Sequence, residues 1–153
     1  MKIKGLKSEY FVLLPHLGTF ILRITIGLIY TIYGIQKVFG VWGGLNLSGT
    51  AVLLSGQYIP YPYYMAYFLG FSELIAGFAV LVGLKTRFCA LVLSSITVIA
   101  LVTVHFDQGI FIPDKGGFAC PFPLLASCLA LVCWGSGQYG LDIFFIEKSK
   151  RKI

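Results

Sequence analysis

Four stretches of this 153-residue chain are apolar for about the length needed to cross a bilayer, and that feature limits the fold more than any other. The stretches run roughly over residues 17–39, 62–84, 87–106 and 119–137. A hydrocarbon core about 30 Å thick takes about 20 helical residues to span. None of the stretches alternates polar with apolar residues, so barrel strands are excluded and helices are the remaining way to satisfy the backbone in lipid. Composition agrees: charged residues make up 12% of the chain, whereas soluble domains carry about 25%. The expected fold is all-α, a single domain over residues 1–153 built as a four-transmembrane-helix bundle.

The first stretch follows a basic segment, Met1–Lys7. It is too long for the apolar region of a signal peptide and has no small-residue cleavage pattern, which reads as an uncleaved first span.

The charges set an orientation. Of twelve Lys and Arg residues, nine fall on one side of the expected bundle. Lys2, Lys4 and Lys7 precede span one, Lys85 and Arg87 flank the turn between spans two and three, and Lys148, Lys150, Arg151 and Lys152 follow span four. Lys37 and Lys115 are assigned to the other side, and Arg23 lies within span one. The positive-inside rule then places both termini in the cytoplasm of a multi-pass inner-membrane protein. The net charge of +6 reads as attraction to anionic lipid rather than to nucleic acid, since no basic patch is interleaved with aromatics.

Two segments face outward on this reading, residues 41–61 and 107–117. In the first, Leu47–Leu54 is apolar enough for a short helix in the interface. It leads into Tyr58, Tyr61, Tyr63, Tyr64 and Tyr67. These tyrosines read either as an aromatic belt anchoring span two or as the mouth of a flat, apolar ligand site.

Two ionisable residues stand out within the spans. Arg23 comes six residues into span one and Glu73 eleven residues from the inner end of span two, depths of about 9 Å and about 17 Å at helical rise. A charge near the bilayer centre costs at least about 2.5–3.5 kcal/mol, so such residues face the bundle and find partners. Arg23, Gly27, Tyr30, Gly34 and Lys37 share one helical face, and Ala66, Gly70, Glu73 and Gly77 share another. Small residues on both permit close approach. The expectation is that these faces meet and that Arg23 pairs with Glu73, either as a device fixing packing register or as a proton-handling or ligand-anchoring pair.

The remaining chemistry is sparse. His16 and His105 fall at opposite ends of their spans, about 30 Å apart, which excludes paired haem ligation. His105 alone suits a proton shuttle or an interfacial position. Cys89, Cys120, Cys128 and Cys133 show no C-x-x-C spacing and read as small hydrophobes. No dinucleotide fingerprint is present, so neither haem, metal nor nucleotide is expected.

The ordered set of Arg23, Gly27, Gly34 and Lys37, then Glu73, Gly83 and Thr86-Arg87, then Gly135-Ser136-Gly137-Gln138-Tyr139-Gly140-Leu141-Asp142 resembles the DoxX family of small four-helix membrane proteins, over roughly residues 18–142. That family includes the small subunit of an archaeal thiosulfate:quinone oxidoreductase. The resemblance implies a quinone-linked membrane subunit of an oxidoreductase complex, with quinone taken from the membrane and a redox partner subunit or a second copy as partner. It carries over Arg23, Lys37, Glu73 and Asp142 as site positions. With the residues of the small-residue face, the tyrosine cluster and the end of span three, the ligand-binding candidates are Lys37, Tyr30, Tyr67, His105 and Asp142. Two other classes compete: a small transporter, supported by intramembrane charge, and a membrane scaffold without catalysis. A thiol–disulfide enzyme ranks last, because exchange needs a nearby resolving thiol.

Overall fold

The computed structural model describes residues 3–105 and 121–143, with side chains from residue 15 to 103 and from 121 to 143. Five helices follow one another among these residues: α1 Ile3–Phe39, α2 Leu47–Gly56, α3 Pro62–Val82, α4 Thr86–Ala100 and α5 Pro121–Trp134. A π-helical turn, Leu101–His105, extends α4. No strand occurs among the described residues. The outer segment 107–117, Cys120 and the basic run from Lys148 to Lys152 lie outside them.

Local chemistry fixes the helix ends. Asn46 caps α2 by accepting the Gly49 N–H at 2.8 Å, an N-cap arrangement. Pro62 opens α3, where its missing N–H costs nothing. Gly83 closes α3 with φ +79° and donates its N–H back to Val80 while Leu84 donates to Ala79, a glycine-terminated cap.

Three helical stretches are long and apolar enough to cross a membrane: Pro15–Phe39, Pro62–Val82 and Thr86–Thr103. The fourth apolar helix, α5, has 14 residues, about 21 Å at helical rise. It stops at Trp134 because Gly135 and Gly137 take positive φ, 76° and 66°. The short helix expected at Leu47–Leu54 is present as α2. It packs along α3, with Ala51 and Leu54 buried against Ala66.

The core joins four helices. Ile26 and Tyr30 of α1, Ala76 and Val80 of α3, Ala90 and Leu93 of α4, and Cys128 and Leu131 of α5 form one buried cluster. The α1–α3 contact is the most extensive in the molecule, and glycine makes it possible. A Cβ on Gly27 would lie 2.5 Å from the Leu81 backbone, one on Gly34 2.5 Å from Leu74, and one on Gly77 2.7 Å from Thr31. The two expected faces therefore do meet, with backbones in direct contact.

These contacts also define the register. Seven residues forward on α1, from Gly27 to Gly34, correspond to seven residues backward on α3, from Leu81 to Leu74. The helices are antiparallel, and Ile35 stands level with Glu73. Lys37 is thus about 3 Å from the level of Glu73 along the axis, and Arg23 about 18 Å from it.

Candidate functional site

The register overturns the expected Arg23–Glu73 pair. Arg23 lies at the end of the bundle where α3 turns into α4, beside Gly83. It donates from Nη1 to the Ser136 carbonyl at 3.0 Å and from Nη2 to the Tyr139 carbonyl at 2.9 Å. Its guanidinium also sits 5.3 Å from the Phe20 ring centre. The expectation sets the start of span one, Leu17, level with the inner end of span two, Leu84. The glycine contacts instead put Leu84 level with Ile24, seven residues further along α1, so Arg23 lies at the rim rather than in the interior.

Glu73 pairs instead with Lys37. Lys37 Nζ donates to Glu73 Oε1 at 2.5 Å, with side-chain exposures of 31% and 5%. Lys37 lies in the last turn of α1, at the end of the bundle opposite the α3–α4 turn, and reaches inward to the carboxylate. This is the one ion pair among the described residues. Glu73 Oε2 is buried and has no hydrogen-bond partner among them. At least about 1–3 kcal/mol attaches to an unsatisfied buried acceptor, so this oxygen is a feature to be explained.

The pair lines a cavity of about 380 Å³, within the range of about 300–1,000 Å³ typical of small-molecule pockets. Its walls come from α1 (Tyr33, Gln36), α2 (Leu53, Leu54), α3 (Met65, Phe68) and α4 (Ile96, Ile99). Most of that surface is hydrocarbon, with Thr50, Thr103 and Gln36 as polar points besides the ion pair. The cavity exists because α1 ends at Phe39, level with the interior of α3. The segment 40–46 and α2 fold back to roof the gap. Beneath it, the Gly34–Leu74 and Gly77–Thr31 contacts close the space between α1 and α3.

The other sequence candidates fall elsewhere. Tyr30 is 3% exposed and belongs to the core, where its hydroxyl bonds to Thr97 Oγ1 at 2.5 Å and accepts from Cys128 Sγ at 3.8 Å. It cannot meet a ligand in the cavity. Tyr67 points away from the cavity, is half exposed and stacks on Phe71. Asp142 lies at the far end of the bundle. Its Oδ1 accepts the Lys85 N–H at 2.5 Å and its Oδ2 the Thr86 N–H at 3.0 Å. With Arg23 it fastens the Gly135–Asp142 segment over the α3–α4 turn. The side chain of His105 lies outside the described residues. Among the described candidates, Lys37 and Glu73 meet at the cavity, while Arg23 and Asp142 share the opposite end of the bundle.

The cavity-lining residues Gln36, Leu53, Phe68 and Ile99 escaped sequence reading, since they look like ordinary lipid-facing or core positions. Cys89, Cys128 and Cys133 are free thiols, and no group of three or more metal-ligating side chains occurs among the described residues.

Comparison with known proteins gives the setting. The DoxX family model matches residues 18–106. A Bacillus subtilis (strain 168) protein named "Putative oxidoreductase CatD" is 29% identical over 134 residues, covering 88% of this chain and 91% of that protein. An uncharacterized Haemophilus influenzae protein is 35% identical over 71 residues, 46% of each chain. No solved structure matches.

Proposed function

This chain belongs to the DoxX family of membrane proteins, and we propose that it is a quinone-binding membrane subunit serving a redox partner, with the Lys37–Glu73 cavity as the headgroup site. One observation carries the reading: a mostly apolar cavity of about 380 Å³ lined by one ion pair whose carboxylate is buried. The similarity to a protein named as an oxidoreductase supports the redox setting.

The residues fit the group. A quinone needs an apolar slot for its ring and tail and one or two polar contacts at its oxygens. Phe68, Leu69, Ile96 and Ile99 form walls for the ring. Lys37, held by Glu73, keeps two further N–H donors for a carbonyl oxygen at the cavity floor. Glu73 fixes the ammonium in place and leaves Oε2 as an acceptor for a hydroxyl hydrogen. Rotation about the last side-chain torsion, which is soft, presents that oxygen to the cavity. A bound quinone supplies a carrier for two electrons and two protons, and the electrons come from the partner. The chain's own contribution is to orient the ring, exclude water and hold hydrogen-bonding groups at its oxygens.

We also read α5 as the fourth span, with both termini cytoplasmic. The charge count and the position of Lys85 and Arg87 at the α3–α4 turn favour this. The alternative of a permeation protein is disfavoured by the closed α1–α3 contact beneath the cavity.

The test is equilibrium binding of a short-chain quinone to purified protein in detergent. Wild type should bind saturably at one site, and Lys37→Met should weaken binding at least about tenfold, the loss of one charge-assisted hydrogen bond. Binding that is non-saturable, or unchanged in Lys37→Met, refutes the assignment.

A further inference from the structure

At the opposite end of the bundle lies a second hollow, larger and more open than the first, that the quinone reading does not use. It has a volume of about 680 Å³ and is lined by His16, Lys85, Arg87, Phe88, Trp134 and Asp142 together with the Gly135–Gln138 turn. From its charge and shape we infer that it is a binding site for the headgroup of an anionic phospholipid, with Lys85 and Arg87 holding the phosphodiester and Trp134 and Phe88 seated along the glycerol and upper acyl chain.

Charge complementarity is the first support. Lys85 and Arg87 have no ion-pair partner among the described residues. Asp142 is the nearby carboxylate, and both its oxygens already accept backbone N–H groups of Lys85 and Thr86. It therefore secures the turn and leaves the two side-chain cations facing the hollow. His16 adds a further donor on the α1 side.

The shape is built around the cations. Gly135 leaves room for the Arg87 side chain, since a Cβ there would lie 3.1 Å from Arg87 Nε. Lys85 holds a left-handed backbone with φ 45°. A non-glycine residue there costs roughly 1–2 kcal/mol.

The apolar side of the hollow matches a lipid rather than a soluble phosphate. Trp134 is 68% exposed and Phe88 65%, both at the end of a membrane-length or apolar helix. An indole at that level packs against glycerol and acyl chain while its N–H faces the headgroup region. Basic hollows between helices on the positively charged face suit this class of ligand.

Trp134 makes the site observable. The chain has two tryptophans, and the other, Trp42, lies in the 40–46 segment away from this end. In a Trp42→Phe background, the purified protein is reconstituted in phosphatidylcholine with a minor fraction of dibrominated phosphatidylglycerol. Quenching of Trp134 is compared with that by dibrominated phosphatidylcholine at the same fraction. Preferential quenching by the anionic lipid is expected, with Lys85→Gln/Arg87→Gln weakening its apparent affinity about thirtyfold, two cations near the surface being removed. The charge-retaining Lys85→Arg/Arg87→Lys protein should keep the preference. If the double neutral variant does not fold, Arg87→Gln alone should lose about fivefold. Equal quenching by the two lipids overturns the inference, as does an anionic preference that survives removal of both charges. Displacement of the brominated lipid by millimolar glycerol phosphate would also overturn it, assigning the site to a soluble phosphate ester instead.

Discussion

The partner of Glu73 is decided most sharply by a double-mutant cycle, because two cations were candidates and the structure selects one. Removing Lys37 as Lys37→Met strands a carboxylate whose side chain is 5% exposed and whose Oε2 already has no partner. The expected loss is about 3–5 kcal/mol, the cost of leaving one member of a buried pair. Glu73→Gln strands a lysine that is 31% exposed toward the cavity. Its long stem lets the ammonium reach water or an amide oxygen, so the loss is smaller, about 1–2 kcal/mol. The double variant Lys37→Met/Glu73→Gln strands nothing and should be no less stable than Glu73→Gln by more than about 1 kcal/mol. The resulting coupling is about 3 kcal/mol, at the upper end for residues in contact. The parallel cycle with Arg23→Gln and Glu73→Gln joins residues about 18 Å apart in level and should be additive within about 0.5 kcal/mol. Reversible unfolding in mixed micelles, followed by tryptophan emission, gives all the free energies. Additivity of Lys37 with Glu73, or coupling of Arg23 with Glu73 above about 1 kcal/mol, would refute the register deduced from the glycine contacts.

Other perturbations probe the remaining parts. Gly34→Ala forces a Cβ into the Leu74 backbone and should cost at least about 1–3 kcal/mol, whereas Gly18→Ala meets nothing within 4 Å and should stabilise by about 0.4–1 kcal/mol; thermal unfolding separates the two. Asp142→Ala removes the acceptor of two backbone N–H groups and should speed amide exchange at Lys85 and Thr86, with a stability loss of about 1–2 kcal/mol. Tyr30→Phe should cost about 0.5–1.5 kcal/mol yet leave quinone affinity unchanged, since the ring lies in the core and outside the cavity; an altered dissociation constant would return Tyr30 to the ligand site.

Helix identity, the α1 and α3 glycine faces and the burial of Glu73 are legible from residue spacing, because helical period and the cost of charge in lipid act locally. The pairing is not. Lys37 sits on the same face as Arg23 and Gly34, so the sequence contains the partner. Its selection depends on how far α1 slides along α3, and that offset is set by the Gly27–Leu81 and Gly34–Leu74 contacts. Each glycine faces a larger residue rather than another glycine, a complementarity that hydropathy does not encode. An antiparallel pair does place late α1 residues beside early α3 residues, which was the available signal for Lys37. The cavity was hidden for a related reason. It arises where α1 stops short and α2 folds back, so it is a product of unequal helix lengths rather than of any motif. Tyr67 faces outward, as the belt alternative has it, and Tyr30 is buried; spacing does not separate the two placements, because aromatic residues suit the lipid interface and the core equally well.

Photolabelling tests the central claim most directly. An azido-substituted short-chain quinone is bound to the purified protein in the dark, irradiated, and the adducts located by peptide mass spectrometry. The account predicts adducts on cavity-wall residues such as Leu53, Phe68 and Ile99, suppressed by excess unlabelled quinone and lost in Lys37→Met/Glu73→Gln, which the unfolding cycle is expected to find folded. Adducts confined to the lipid-facing residues of α5, or labelling of the cavity that neither competitor nor the double variant reduces, would contradict it.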